Sequence, residues 1–114
     1  MDDLKRIQDD HKKFLQERNW ERFQTAKNLS MALSVEVAEL VEIFMWLTDK
    51  QASTLSPERK QAASDEMADI LIYLLRLADV LGIDLIQACD EKMKKNGEKY
   101  SVEKGRALAA LLEN

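Results

Sequence analysis

The sequence predicts an all-α protein, a bundle of four to five helices. Only three Gly and one Pro occur in 114 residues, which is too few turn signals for a many-stranded β fold. Apolar residues instead recur at intervals of three and four, the spacing of one helix face. With 46% hydrophobic and 33% charged residues, the composition is that of a folded chain. We expect one domain over residues 1–114.

The first half of the chain predicts two helices. Residues 2–18 carry apolar side chains three and four positions apart and form the first amphipathic helix. The pattern breaks over residues 19–24, where aromatic residues stand among charges. Thr25 is a suitable N-cap for a second helix, which we expect to run to about Leu47.

A polar linker over residues 49–56 precedes the third predicted helix. Ser56 supplies an N-cap and Pro57 a first-turn proline, whose fixed backbone angle suits that position. This helix is expected to run to about Leu81 and to stop at Gly82.

Asp84 is a suitable N-cap for a fourth helix, predicted to run to about Lys95. The Asn96-Gly97 pair is a suitable end for that helix. Ser101 then caps a short tail helix rich in Ala and Leu.

The third helix is apolar on nearly every side. A helix of this kind must be buried on most of its surface, and a chain this short has little material to cover it. We therefore expect a homodimer or homotetramer, with a central helix in a monomeric bundle as the alternative. The apolar residues concerned are Met67, Ile70, Leu71, Ile72, Leu74, Leu75, Leu77, Val80 and Leu81.

Charge and rare residues exclude several classes of function. The formal net charge of −4 gives no general attraction to phosphate backbones, so we expect no nucleic-acid partner. The single Cys89 and the single His11 exclude an internal disulfide and zinc sites built from several Cys or His. The longest apolar run, residues 70–75, is far too short to span a membrane. The charged N-terminus lacks the apolar core of a signal peptide, so we expect a cytoplasmic protein.

Two pairs of acidic residues fall inside the two most apolar predicted helices. Glu36 and Glu39 share one helix face, and so do Glu66 and Asp69. A short linker makes the two helices an antiparallel hairpin. If the chain reverses near residues 52–53, both pairs lie at the same level, and four converging carboxylates need neutralisation. All-oxygen ligation suits Mg²⁺, with Mn²⁺ as a substitute.

The alternative is that these acids lie on outer faces and are simply solvated. The chain would then be a metal-free helical module for dimerisation or interaction with a partner. Such a module has no reason to place four acids at one level. A di-iron site is excluded, because it needs a His three residues after a Glu and the only His of the sequence is His11.

Four aromatic residues accompany the carboxylates. Trp46 lies two turns beyond Glu39, and Tyr73 lies one turn beyond Asp69. His11 and Trp20 come from the first helix and the segment after it. Flat side chains beside a metal site suit a planar base, although ordinary core packing is the commoner role of Trp and Tyr.

A group of donors lies near the end of the fourth helix. Ammonium and amide groups of this kind can hold phosphate oxygens, and a solvated basic patch is the alternative. The residues are Lys92, Asn96, Lys99 and Tyr100.

Together these residues resemble the all-α nucleoside triphosphate pyrophosphohydrolases of the MazG-like superfamily. The motif of that superfamily is E-x-x-E followed at a distance by E-x-x-D, which here is Glu36-Val37-Ala38-Glu39 and then Glu66-Met67-Ala68-Asp69. The resemblance covers about residues 4–100. It is closest to the dCTP-pyrophosphatase branch and to the small MazG-like proteins carried on integron cassettes.

The resemblance implies Mg²⁺-dependent cleavage of (deoxy)nucleoside triphosphates, such as dCTP or dATP, between the α- and β-phosphates. The products would be a monophosphate and pyrophosphate, in a house-cleaning or pool-controlling role. A homodimer or homotetramer and the absence of a second MazG-like domain are implied too. The same fold acting on phosphoribosyl-ATP is an alternative, which the aromatic set disfavours.

Site residues follow from the resemblance position by position. Metal ligation is implied for Glu36, Glu39, Glu66 and Asp69. The base pocket would take His11, Trp20, Trp46 and Tyr73, and the phosphates would contact Lys92, Asn96, Lys99 and Tyr100. For the general base we favour Glu39, bracketed by acids on both sides, with Glu36 or Glu66 as alternatives.

Overall fold

The computed structural model describes residues 2–113, and helices are the only regular secondary structure in that range. This confirms the predicted all-α class. The elements in chain order are α1 (Asp3–Glu17), a 3₁₀ helix (Glu21–Phe23), α2 (Ala26–Phe44), α3 (Asp49–Ser53), α4 (Pro57–Leu81), α5 (Leu85–Lys99) and α6 (Val102–Leu112).

The predicted helix caps are confirmed. In each N-cap the side-chain oxygen accepts the backbone N–H three residues on, which satisfies a donor that the first turn leaves free; these caps are Thr25, Ser56, Asp84 and Ser101. Gly82 ends α4 with φ +69°, a left-handed conformation that glycine adopts without a Cβ clash.

The region between α2 and α4 differs from the prediction. Helix α2 ends at Phe44 instead of Leu47, and residues 49–56 contain the short helix α3. Thr48 is the N-cap of α3 and forms a reciprocal capping box with Gln51. An N-cap needs an extended backbone, and Thr48 has one at φ −71° and ψ 162°. Helix α2 therefore has to end before it.

Helix α5 is longer than predicted, since it runs to Lys99 instead of about Lys95. The carbonyl of Asn96 accepts the backbone N–H of Tyr100 at 2.8 Å, so the helical ladder continues through this region. A glycine inside a helix costs only about 0.8–1.0 kcal/mol relative to alanine. Gly97 therefore weakens the helix without ending it.

Two compact units make up the chain, one ending at Gly82 and the other beginning at Ile83. In the first unit both α1 and α2 pack on α4. Its core is small, and its buried apolar residues are Leu15, Leu29, Ala63, Leu75 and Ala78. The second unit contains α5 and α6, and none of its described residues is buried. A single domain over residues 1–114 stays a prediction.

Helices α2 and α4 keep large apolar side chains in contact with solvent. On α4, Met67 is 60% exposed, and on α2, Met31 is 57% exposed. Val35 and Val41 of α2, Met45 at its C-cap, and Leu71, Leu74 and Leu81 of α4 are also exposed, to a smaller extent. The chain by itself therefore covers α4 only in part, as the sequence led us to expect.

No helix in the described part of the chain is long and apolar enough to cross a membrane.

Candidate active site

Three carboxylates from two helices converge in the first unit. Glu36 and Glu39 lie one turn apart on α2, and Glu66 lies on α4. One oxygen atom from each group lies within 4.8 Å of the other two. Because α2 packs on α4, the backbone brings the three groups together even though like charges repel. We call these three residues the acidic cluster.

Burial distinguishes the members of the acidic cluster. The Oε2 atoms of Glu36 and Glu66 are buried and have no hydrogen-bond partner, whereas Glu39 is exposed. A buried carboxylate oxygen without a donor has lost its hydration and gained nothing in exchange. These two oxygen atoms therefore lack a positively charged or donating ligand.

The pKa values of the cluster also reflect the lack of a positively charged or donating partner. The negative charge of Glu66, a hydrogen bond with Glu66 and burial raise the pKa of Glu39. A hydrogen bond with Glu36, burial and the negative charges of Glu36 and Asp69 raise the pKa of Glu66. Two carboxyl groups share a hydrogen bond only when one of them carries a proton, so these groups hold protons more tightly than isolated glutamates do.

The acidic cluster fits a hard divalent cation. Its donors are all carboxylate oxygens, the ligands that Mg²⁺ and Ca²⁺ prefer at metal–oxygen distances of about 2.0–2.6 Å. Ligand atoms no more than 4.8 Å apart can all reach one such ion. A cation would supply the missing partner of the two buried oxygens and remove the repulsion that raises the pKa of Glu39 and Glu66.

Asp69, the fourth predicted ligand, lies beside this cluster. It is on α4 one turn after Glu66 and is exposed, and it is not among the three groups within 4.8 Å. Instead it lines a cavity between α1 and α4. Asp69 therefore connects the acidic cluster to that cavity, and its role as a metal ligand stays a prediction.

The cavity between α1 and α4 has a volume of about 440 Å³, within the range of small-molecule sites. We call it the aromatic cavity. It brings together two of the residues predicted to hold a base, His11 and Tyr73. All its lining residues are Ile7, Asp10, His11, Phe14, Asp69, Ile72 and Tyr73.

Phe14 is an aromatic residue of this cavity that was not predicted from the sequence. Its ring stacks on His11 with centroids 6.3 Å apart and meets Trp20 edge-on at 5.8 Å. The Arg18 guanidinium lies 3.7 Å from the Phe14 ring centre. Phe14 thus links Trp20 to the cavity wall. Its position three residues after His11, on the same helix face, was the signal that could have identified it.

Two titratable groups of the aromatic cavity have shifted pKa values. Burial, and then the positive charge of Arg76, lower the pKa of His11. Burial, and then the negative charges of Glu36 and Asp69, raise the pKa of Tyr73. Both shifts favour the neutral form, so the cavity presents an uncharged imidazole and an uncharged phenol.

Trp46 lies apart from these aromatic residues. It follows the end of α2 and its side chain is 85% exposed. It lines a different cavity of about 300 Å³, with Glu42, Ile43, Leu47, Glu58, Arg59 and Ala62. Helix α2 ends at Phe44, two residues before Trp46, and the shared cavity keeps Trp46 beside Glu42 and Ile43 of that helix. Its place in a base pocket stays a prediction.

The predicted phosphate-binding residues belong to the second unit. Lys92, Lys99 and Tyr100 are exposed, and Asn96 is half-buried. The Lys99 Nζ atom lies 5.2 Å from the Tyr100 ring centre. Lys99 and Tyr100 line a cavity of about 400 Å³ with Lys104, Ala107, Leu108 and Leu111 of α6. Their contact with phosphate stays a prediction.

The chain is similar to known pyrophosphatases. The enzyme called dCTP pyrophosphatase 1 is 38% identical over 111 residues in Mus musculus and 40% in Bos taurus, each match covering 96% of this chain and 64% of the relative. The chain therefore spans less than two thirds of the length of these curated relatives. A crystal structure of a pyrophosphatase from Archaeoglobus fulgidus superimposes with a TM-score of 0.83 at 39% identity, covering 89% of this chain and 94% of that one.

The family assignment follows from sequence and fold together. Residues 31–111 match the MazG-like family, and that range contains all three residues of the acidic cluster. The archaeal structure shares the fold over nearly its whole length at an identity too high for chance similarity. This chain belongs to the MazG-like family.

Proposed function

We propose that the protein hydrolyses nucleoside triphosphates between the α- and β-phosphates, releasing a nucleoside monophosphate and pyrophosphate. Two similar proteins carry the name dCTP pyrophosphatase 1, and a third is a pyrophosphatase. Deoxynucleoside triphosphates with an amino-bearing base, dCTP or dATP, are the substrates we favour. Control of nucleotide pools or removal of unwanted nucleotides is the role such a reaction serves.

The observation that carries this proposal is the acidic cluster beside the aromatic cavity. Buried Oε2 atoms of Glu36 and Glu66 lack partners, and one helix, α4, carries both Glu66 and the cavity residue Tyr73. A triphosphate has an aromatic end and a polyanionic end that arrives with a cation. A metal-free interaction module gives no reason to bury carboxylate oxygens without donors.

Mg²⁺ is the cation that we propose for Glu36, Glu39 and Glu66, with Asp69 as an additional ligand and Mn²⁺ as a substitute. Bound there, it would neutralise the phosphate oxygens and the negative charge that develops on them. The exposed Glu39 is the member of the cluster that water reaches most easily. We therefore assign to its carboxylate the proton of the attacking water, with Glu36 as the alternative base.

The base is proposed to lie in the aromatic cavity. Its volume of about 440 Å³ suits a nucleoside, and rings of Phe14, His11 and Tyr73 give it flat walls. Stacking on an aromatic side chain stabilises a base by about 1–3 kcal/mol. Lys92, Asn96, Lys99 and Tyr100 of the second unit are proposed to hold phosphate oxygens through charge-assisted hydrogen bonds.

We also propose that the protein works as a homodimer or homotetramer. The support is the exposed apolar surface on α2 and α4, which includes Met31 and Met67, together with a small core. Apolar patches of this kind on a folded chain commonly mark an interface. Light scattering coupled to gel filtration tests this, and a stable folded monomer at micromolar concentration would contradict it.

The test of the activity is a screen of common deoxynucleoside and ribonucleoside triphosphates with Mg²⁺, in which pyrophosphate and monophosphate are measured separately. Pyrophosphate released with an equal amount of monophosphate is the expected result. Release of inorganic phosphate with a diphosphate would contradict the proposed cleavage position. The Glu66→Gln variant is the inactive control, and Glu98→Gln, an exposed acid of α5, is the matched control for loss of one charge.

A further inference from the structure

Helix α1 is followed by a left-handed turn at Asn19. In the described part of the chain, Asn19 is the one residue other than glycine with a positive φ, which is +56°. The Cβ atom makes this conformation unfavourable for most residues, whereas asparagine tolerates it comparatively well. A β-branched residue at this position would strain the backbone.

The turn is a complete Schellman motif. The N–H of Trp20 donates to the carbonyl of Leu15 at 2.9 Å, and the N–H of Asn19 donates to the carbonyl of Gln16 at 3.2 Å. These are the two hydrogen bonds of that motif, in which the residue after the left-handed position also packs against the last turn of the helix. The chain therefore reverses at Asn19, and Trp20 returns to α1.

The two neighbours of Asn19 in the chain both contact Phe14. The rings of Trp20 and Phe14 meet edge-on, with centroids 5.8 Å apart and planes inclined by 75°, a favourable geometry for two aromatic rings. The Arg18 guanidinium lies 3.7 Å from the Phe14 ring centre, and its Nη1 donates to the carbonyl of Phe14 at 3.0 Å. The turn thus holds the Phe14 side chain from two residues.

These contacts lie at the cavity wall and outside the core. Phe14 is 43% exposed and Trp20 is 48% exposed, whereas the buried residue of α1 is Leu15. Phe14 lines the aromatic cavity and stacks on His11. Trp20 does not itself line that cavity, so it reaches the cavity through Phe14.

We propose that Asn19 is a positioning residue of the aromatic cavity. Its left-handed backbone places Trp20 against Phe14, and Trp20 together with Arg18 holds the Phe14 ring at the cavity wall. A side chain that is already ordered loses less conformational freedom when a ligand packs on it. The consequence for catalysis rests on the proposed function: loss of the turn should weaken nucleotide binding and spare the chemical step, which we assign to the acidic cluster on α2 and α4.

The position of Trp20 can be measured without substrate. The chain has two tryptophans, so Trp46→Phe leaves Trp20 as the one indole, and its quenching by acrylamide reports its exposure. In that background Asn19→Gly keeps the left-handed backbone and should leave quenching unchanged. Asn19→Val strains that backbone and should increase quenching. Unchanged quenching in folded Asn19→Val, or an equal increase in both variants, would overturn the proposal.

The signals of the His11 ring report the position of Phe14. His11 is the only histidine, and the ring current of a neighbouring aromatic ring shifts its NMR resonances. At about pH 8, where an ordinary imidazole is uncharged, Asn19→Val should shift these resonances and Asn19→Gly should not. Trp20→Leu removes the supporting ring and should shift them too, which tests the proposal even if Asn19→Val does not fold. Unchanged resonances in Trp20→Leu would overturn it.

Asp2→Ala is the matched control for a weakened α1. The Asp2 side chain caps the other end of this helix, where it accepts the N–H of Lys5 at 2.7 Å. Its loss should lower stability and leave both Trp20 quenching and the His11 resonances unchanged. If Asp2→Ala changes them as much as Asn19→Val does, a general loosening of the helix explains both results and the proposal is wrong.

Kinetics separate this inference from the proposed function. The KM for dCTP should rise by up to about tenfold in Asn19→Val, the lower end of the effect of losing a stacking ring, with kcat kept and the wild-type KM restored in Asn19→Gly. A merely structural role would reduce the amount of folded enzyme, lowering kcat at constant KM, and that result would overturn the proposal. If the wild type hydrolyses no nucleotide, the proposed function is wrong, while Trp20 quenching and the His11 resonances still decide the role of Asn19.

Discussion

The acidic cluster and the aromatic cavity share α4 and depend on opposite physical effects. In the cluster, Glu36 and Glu66 bury oxygen atoms without partners and like charges repel. In the cavity, burial favours the neutral forms of His11 and Tyr73, and ring contacts hold Phe14 in place. The cluster is incomplete without a cation, whereas the cavity wall is assembled from the protein alone.

This difference shows how one helix can serve two ends of a substrate. The surface of α4 changes from charged to apolar within two turns, along residues one turn apart: Glu66, Asp69 and Tyr73. A variant in the cluster should therefore damage the chemical step, and a variant in the cavity should damage recognition. Each of the following experiments tests that division, from the largest expected effect to the smallest.

The largest effect is expected for Glu66→Gln. The substitution keeps the volume and removes one charge from the cluster, so turnover should fall by on the order of 100-fold or more, a loss typical of a group that stabilises the transition state. The loss should appear in kcat with little change in KM. Steady-state kinetics on dCTP, with Glu98→Gln as the control, provide the measurement. Full activity in Glu66→Gln would show that the cluster takes no part in the reaction.

Asp69→Asn tests the boundary between the two regions. If Asp69 ligates the metal as predicted, its loss should resemble that of Glu66→Gln and lower kcat by a similar factor. If it acts only as a wall of the cavity, KM should rise while kcat is kept. The same kinetic experiment separates the two outcomes, and activity equal to the wild type would exclude Asp69 from both roles.

A smaller effect is expected for Phe14→Ala. Loss of a stacking ring should weaken apparent substrate affinity by about ten- to a hundredfold, which corresponds to about 1–3 kcal/mol, and leave most of kcat. Trp46→Ala removes a side chain that is 85% exposed and lies at another cavity. Binding of a nonhydrolysable dCTP analogue, measured by calorimetry, compares the two. A greater loss for Trp46→Ala than for Phe14→Ala would contradict the placement of the base between α1 and α4.

Cation binding should stabilise the wild-type protein. At a Mg²⁺ concentration about 100 times its Kd, mass action adds about 2.7 kcal/mol to the free energy of unfolding, which is a rise of several degrees in Tm. Thermal unfolding followed by circular dichroism, with and without Mg²⁺, measures the shift. Glu66→Gln should show a much smaller shift, whereas Phe14→Ala should keep it. An equal shift in Tm in both variants would contradict the separate roles of the acidic cluster and the aromatic cavity.

The smallest effect concerns pH and the protein without metal. Because the folded pKa of Glu66 is raised above its ordinary value of 4.5, the folded state binds a proton more tightly than the unfolded chain. The contribution of this group to stability is therefore fully favourable below 4.5 and is lost as the pH rises through the raised pKa. In a chelator, Glu66→Gln should be more stable than the wild type at neutral pH and depend less on pH. Urea unfolding measures this, and a less stable variant would contradict it.

Local features of the sequence determined most of the fold. Thr25, Ser56, Asp84 and Ser101 cap helices because a side-chain oxygen satisfies nearby N–H groups within three residues. Gly82 ends α4 because only a residue without a Cβ adopts its backbone conformation easily. These features depend on neighbours close in the chain. The spacing of acids on two helix faces also predicted Glu36, Glu39, Glu66 and Asp69 as one group, of which the first three converge once α2 packs on α4.

The tertiary structure decided what depends on distant contacts or on competition between local signals. Helix α2 ended at Phe44 and a short helix followed it after the cap at Thr48, while Gly97 was too weak a signal to end α5. Packing of α1 on α4 placed Phe14 in the cavity wall and buried Arg76. The sequence shows that Phe14 shares a helix face with His11, but whether that face lines a cavity depends on which helix faces meet, and that is settled only when the helices pack.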